Sequence, residues 1–175
     1  MEENSGHHAR IGLYVAGTPT ITPTGTPPTA TPTRTSTLTP KATATPCQSG
    51  AISNGGFETG TFAPWVILGT TPPPVVSTAQ AHSGTQSAFL GTLSGAEPNG
   101  DGSIYQTITV PASGGTLSYW YYPNTTDSIS FDWQDAYVTS TSGTILATIM
   151  HVCEGTGAWT NMTFNMAPYA GQTVR

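Results

Sequence analysis

Nucleophilic chemistry needs a Ser or Cys beside a base, and a third group that orients the base. Serines are plentiful in this chain, but none sits in a G-x-S-x-G elbow. His82 and His151 are the only histidines beyond residue 47. His82 lies in the turn-forming Ala81-His82-Ser83-Gly84 and His151 alternates within an expected strand, so both read as structural or solvated. Glycoside hydrolysis needs two carboxylates across a cleft. Glu58, Glu97, Asp101, Asp127, Asp132, Asp135 and Glu154 fall mostly in turn-forming sequence, and Asp132 with Asp135 is the pair hardest to dismiss. The segment from Glu97 to Ser103 spaces Asn99, Asp101 and Ser103 somewhat as a calcium loop does. Asn-Gly and Asp-Gly are also hairpin signals, and a plain turn is the preferred reading. Adjacent His7 and His8 read as solvated tail residues. No zinc spacing, phosphate-cradling loop or dinucleotide fingerprint occurs. The chain is expected to be non-catalytic.

Aromatic rings offer a different chemistry. The C–H faces of sugars are apolar and stack on flat rings, while polar neighbours bond the hydroxyls. Trp120, Tyr122, Trp133 and Tyr137 are the candidate rings. Trp120 points opposite to Leu117, Tyr119 and Tyr121 in an alternating run, and Tyr137 opposite to Ala136 and Val138. Asp132, Gln134 and Asp135 are the candidate polar partners. The competing reading places bulky rings in a core. It is preferred for Trp65, Tyr119, Phe131 and Trp159, and alternation gives Trp133 to the core as well. The candidate binding set is therefore Trp120, Tyr122, Tyr137, Asp132, Gln134 and Asp135, with no catalytic residue.

The elements that must position these residues are strands. Ile104, Ile108 and Val110 share one face of a period-2 pattern, with Tyr105, Thr107 and Thr109 on the other. Pro111 and Gly114-Gly115 end that strand. Leu117, Tyr119 and Tyr121 alternate until Pro123-Asn124 stops the run. Ile129, Phe131 and Trp133 alternate next, and the parity then slips to Ala136 and Val138, as a bulge near Gln134-Asp135 would produce. Ser140 to Gly143 is a turn, Ile145 to Val152 a strand, and Trp159 to Met166 another. Short strands with turn signals every 8–12 residues indicate an all-β domain, a β-sandwich or jelly roll.

Composition agrees. Only 7% of residues are charged, with Gly 20 and Pro 15; an average soluble domain is roughly a quarter charged. The net charge of −5 and the lack of a Lys/Arg cluster oppose nucleic acid and anionic membranes. No apolar run approaches the ~20 residues that span a bilayer. Residues 18–46 alternate Thr with Pro and small residues. Proline removes donors and fixes φ, and so little apolar surface cannot offset ordering entropy. A disordered, extended Thr/Pro-rich linker is expected, reaching on the order of 90 Å at ~3.1 Å per residue. Its threonines suit O-glycosylation on composition alone. Residues 1–17, with the apolar patch Ile11 to Val15, read either as a tail or as the end of an upstream domain. The two cysteines, Cys47 and Cys153, either pair or stand as unrelated thiols.

Residues 52–62, Ile-Ser-Asn-Gly-Gly-Phe-Glu-Thr-Gly-Thr-Phe, with Pro64-Trp65, resemble the opening of bacterial jelly-roll modules of the galactose-binding-like, carbohydrate-binding type. Ala81 to Ala88, Ile104 to Pro111, Leu117 to Tyr121, Trp159 to Phe164 and Tyr169 to Val174 resemble their later segments in order. The resemblance covers most of residues 50–175. It implies a secreted, extracellular or cell-surface module that binds a polysaccharide or cell-surface glycan and is joined by its linker to a hydrolase. A structural or spacer domain of such a peptidase or glycosidase is the alternative. Neither nucleic-acid binding nor membrane insertion is expected, and a monomer is. The resemblance further implies a structural calcium with Glu58 as a ligand, and closing strands beyond residue 175 that would carry paired aspartates. On that reading the module, residues 47–175, is incomplete at its C-terminus.

Overall fold

A computed structural model describes residues 12–16, 52–94 and 99–175; for 12–16 it gives the backbone pairing alone. His7, His8, Cys47, Glu97 and the linker expected over 18–46 lie outside the described residues. The chain is all-β, with several antiparallel sheets. Among the described residues the one helical element is a 3₁₀ turn at Ala167–Tyr169.

The largest sheet has five strands. In spatial order they are β10 (Thr160–Asn165), β7 (Thr116–Asn124), β1 (Gly12–Ala16), β4 (Ser87–Leu90) and β3 (Val75–Ser77). Among the described residues there are also three two-stranded ladders: β2 (Val66–Thr70) with β5 (Gly102–Tyr105), β6 (Ile108–Thr109) with β11 (Thr173–Val174), and β8 (Gln134–Thr139) with β9 (Ile145–Val152). The latter two are stitched together. Thr139 and Arg175 exchange backbone hydrogen bonds of 2.8 Å each, which lays the end of β11 against β8. Gln106 lies between β5 and β6, and its buried amide accepts from Ser53 N–H (2.8 Å) and donates to Ser53 C=O (2.9 Å).

The core lies between the five-stranded sheet and this second group. Tyr119 and Tyr121 of β7 and Leu90 of β4 pack against Met150 of β9, with Ile104 and Ala136 beside them. Val110, Val138, Met166 and Val174 form a second cluster, and Leu117 and Ile149 touch both. Tyr119 Oη lies 3.8 Å from Met150 Sδ, so alternate residues of β7 face β9 while Trp120 and Tyr122 face away. The sequence alternation is realised in β7 and β10, whereas in β9 it slips at Ile149 and Met150, adjacent residues that both pack into the core. Strand β7 continues through Pro123, which the sequence reading takes as a stop. Its neighbour β10 pairs only as far as Tyr121, so the missing N–H of Pro123 breaks no ladder bond on that side.

The strand expected over Ile129–Trp133 does not form. Residues 129–131 are a turn, in which Phe131 and Asp132 N–H both donate to Ser128 C=O (2.9 Å). Side chains capture the backbone here: Thr125 Oγ1 accepts from Asp127 N–H (3.1 Å) and Asp127 Oδ1 from Ser128 N–H (2.8 Å). Such local bonds compete with a ladder, and Ile129 and Phe131 are left exposed. Trp133, assigned to the core by alternation, is instead half-buried beside His151. The register irregularities of the β8–β9 ladder fall after Ala136 and after Val138, a little beyond the expected bulge.

Candidate functional site

The candidate binding residues separate onto two outer faces and an interior. Ala136 and Val138 of β8 pack into the two cores, so Asp135 and Tyr137 point outward. Directly across the ladder from Asp135 is His151 of β9, and its Nδ1 lies 2.6 Å from Asp135 Oδ1. Trp133 stands against His151 with ring centroids 6.2 Å apart. The ring of Tyr137 is 37% exposed. The His151 side chain is 51% exposed and that of Asp135 19%. Burial first, and then a hydrogen bond to Asp135 and the charge of that carboxylate, push the Tyr137 hydroxyl up to about 12. It stays a neutral donor at any physiological pH. This face therefore offers two rings, a carboxylate acceptor and an imidazole along two adjacent strands.

Trp120 and Tyr122 occupy the other side of the molecule, on the outer surface of β7, and the structure does not bring them to Tyr137. Trp120 is already stacked. His82 lies parallel to it at 3.9 Å between centroids, and Trp159 meets His82 edge-on at 5.5 Å. Tyr122 meets Trp159 edge-on at 5.6 Å. One face of the Trp120 ring is thus covered from within the chain. His82 Nδ1 is buried here without a hydrogen-bond partner.

Asp132 and Gln134 join neither face, because both are buried, at 0% and 1% exposure. Asp132 accepts from the Thr125 hydroxyl and so braces the turn that precedes β8. Gln134 uses its whole amide on one residue: Oε1 accepts from Glu154 N–H (2.9 Å), and Nε2 donates to Glu154 C=O (3.2 Å). Glu154 in turn accepts from the Tyr121 hydroxyl at 3.1 Å. Beside this knot, Cys153 Sγ donates to Asp127 C=O at 3.4 Å. Burial, with the nearby charges of Asp132 and Asp127, pushes that thiol up, so it is no activated nucleophile. Its pairing with Cys47 involves a residue outside those described.

Glu58 stands at the end of an unusual turn. Phe57 has φ of 59°, in the left-handed region that bulky residues avoid, and its fully buried ring packs on Phe62 and Trp65 at 5.8 and 5.6 Å. The Glu58 carboxylate receives N–H bonds from Thr85 (3.0 Å) and Gln86 (2.9 Å) and the Thr85 hydroxyl (2.9 Å). Desolvation raises its pKa, but these bonds outweigh it and hold the carboxyl below its ordinary value. A calcium ligand must present oxygens to a cation. Here the carboxylate faces hydrogen-bond donors, and among the described residues no group of three His, Cys, Asp or Glu side chains is placed to hold a metal. Glu58 thus braces the Thr85–Gln86 turn. In the Asn99–Ser103 loop, Asp101 Oδ2 accepts from Ser103 Oγ (2.8 Å), which accepts from Gly69 N–H (2.7 Å). That loop ties β5 to β2.

Sequence reasoning passed over His151 and Trp133 as members of a site. The hairpin alone would not have found it: a regular ladder continued from Thr139↔Ile145 would set Asp135 opposite Ile149, and the two register shifts bring His151 there instead. No helix among the described residues is long and apolar enough to cross a membrane. No family model, no curated protein and no solved structure matches this chain.

Proposed function

We propose that this chain is a non-catalytic glycan-binding or surface-adhesion module, of galactose-binding-like jelly-roll architecture, from a secreted multidomain protein. The observation that carries the reading is the outer β8–β9 face. Tyr137 offers an exposed ring, and Asp135 and His151 offer an acceptor and a donor beside it. Rings stack on sugar C–H faces and such polar neighbours select hydroxyls. The several antiparallel sheets are in keeping with a jelly roll. The Thr/Pro-rich sequence of residues 18–46 suits a tether that keeps an attached hydrolase near its polymer by raising effective concentration. The Asp135–His151 pair resembles the base half of a hydrolytic triad, but the reading assigns it no nucleophile, and binding is its role.

The test is titration of the full chain with soluble glycans and insoluble polysaccharides. Binding that weakens roughly ten- to hundredfold in Tyr137→Ala, the loss expected for one ring anchor, supports the reading. Absence of binding to every glycan sinks it. The rings committed internally, Phe57–Phe62–Trp65 and His82–Trp120–Trp159, favour a second reading as a spacer domain that binds nothing. Deletion that lowers a neighbouring domain's stability and leaves polymer binding unchanged would decide for it.

A further inference from the structure

The outer β8–β9 face has a charge as well as a shape. Asp135 stands between Tyr137, two residues along β8 on the same side, and His151, directly across the ladder. A carboxylate has about four acceptor sites. His151 takes one and the Tyr137 hydroxyl another, so Asp135 keeps acceptor capacity as well as its charge. A neutral imidazole bonds that carboxylate without cancelling its charge. Among the described residues Arg175 is the one Lys or Arg side chain, and it lies elsewhere. Its backbone pairs with Thr139, four residues from Asp135, which is ~13 Å of strand. Its guanidinium sits 4.6 Å from the centre of the Tyr105 ring. That separation along β8 exceeds the screening length of ~8 Å at physiological salt. Asp127, Asp132 and Glu154 gather about the start of β8. After burial, the hydrogen bond to Asp135 and its charge lift the Tyr137 hydroxyl, and the charges of Asp132 and Asp127 lift the Cys153 thiol. The exposed ring thus stands in a negative field with no nearby Lys or Arg to balance it.

We infer that the glycan taken by this face carries free amines, as a polymer of glucosamine does, with one ammonium group seated on Asp135 beside the Tyr137 ring. The inference rests on the glycan-binding reading given above. Both the carboxylate and the ring favour a cation. Asp135 accepts charge-assisted hydrogen bonds from an N⁺–H group. An ammonium within about 6 Å of the Tyr137 ring face is attracted by the ring's negative face, while the sugar's C–H face keeps its stacking. An N-acetylated sugar offers a neutral N–H in place of the charge. A uronic acid sets like charge against Asp135 and against the negative ring face. Only 19% of the Asp135 side chain is exposed, so an ion pair here is screened less than one at an open surface.

Titration of the full chain near neutral pH and at low salt tests this, with β-linked hexamers of glucosamine, N-acetylglucosamine and glucose and with an oligogalacturonate. The glucosamine hexamer should bind about five- to thirtyfold tighter than the two neutral hexamers, the span from an exposed ion pair to a charged hydrogen bond. The galacturonate should bind weakest. Asp135→Asn keeps the side chain's shape and an acceptor for His151 but removes the charge; it should bring the three hexamers to about equal affinity. Neutral hexamers bound as tightly as the glucosamine hexamer by the unmodified chain overturn the inference and leave the glycan-binding reading standing. Binding of another glycan but not of the glucosamine hexamer does the same, whereas binding of no glycan sinks both. A preference that survives Asp135→Asn also overturns the inference, because the net charge of −5 would then be its cause. So does a lysine hexapeptide that binds as tightly as the glucosamine hexamer, since the sugar ring would then contribute nothing. If the variant does not fold, added salt on the unmodified chain decides: the preference should shrink, and a salt-independent preference overturns the inference.

Discussion

Replacing Gln134 by Leu keeps the side chain's size and removes its amide. The amide is fully buried and clamps both backbone groups of Glu154, at 2.9 and 3.2 Å. Leucine would leave an N–H and a C=O unpaired beside β8. Each orphaned buried polar group costs about 1–3 kcal/mol, and since Glu154 is only half-buried the lower end applies to both. The expected loss is about 2–3 kcal/mol, and in a domain of this size that lowers Tm by roughly 8–15 °C. The assay is urea and thermal unfolding followed by tryptophan fluorescence, with glycan binding measured below the transition. Stability should fall while affinity at the Tyr137 face holds. Gln134→Glu offers a sharper control: it retains an acceptor for Glu154 N–H but buries a charge against Glu154 C=O, so at neutral pH it should be at least as damaging. Acidification that neutralises it should recover part of the loss, because a protonated carboxyl can donate. Stability within 0.5 kcal/mol of wild type in Gln134→Leu, the range of an ordinary surface change, would refute the clamp. Lost glycan binding at unchanged stability would return Gln134 to the binding set.

The remaining predictions concern the Glu58 turn and the buried hydroxyls. Gly84 has φ of +71°, and an added Cβ would collide with Glu58 Oε1; Gly84→Ala should cost about 1–3 kcal/mol by chemical denaturation, and no measurable cost would contradict the packing of that turn. Glu58 has a lowered folded pKa, so its contribution is complete above its unfolded value of 4.5 and fades as pH falls through the folded one; Glu58→Gln should flatten the acid limb of a stability–pH curve. Burial and then Glu154 push Tyr121 up to about 12, and burial and then Asp135 push Tyr137 up to about 12. For both, the folded state favours the neutral phenol, so stability is whole below pH 10 and declines as pH rises toward 12. An ultraviolet titration checks this, and Asp135→Asn should bring the Tyr137 transition down.

Alternation made much of the scaffold readable. Tyr119 and Tyr121 are buried and Trp120 is turned outward, as period 2 requires. The Ser140–Gly143 turn forms where it was expected, with Ser140 N–H donating to Thr144 C=O and Gly143 at φ of +92°. What alternation missed was set by side chains that bond backbone. Ile129–Phe131–Trp133 has a strand's pattern, but Thr125, Asp127 and Asp132 tie the preceding chain into a turn, and this turns Trp133 to the surface. Gln134 and Asp132 looked like surface acceptors because polarity was visible and burial was not. The meeting of Asp135 with His151 depends on two register shifts within the β8–β9 hairpin, and the place of β1 between β4 and β7 on pairing across long stretches of sequence; local pattern encodes neither.

The central claim is that glycan binds the outer β8–β9 face. Backbone amide shifts of ¹⁵N-labelled chain, followed by NMR through a titration with a bound glycan, test it most directly. Shifts concentrated at Trp133, Asp135, Tyr137, Thr148 and His151, and absent around Trp120, Tyr122 and Trp159, are the predicted result. A footprint centred on the β7 outer surface, or no footprint at saturating glycan, would contradict it.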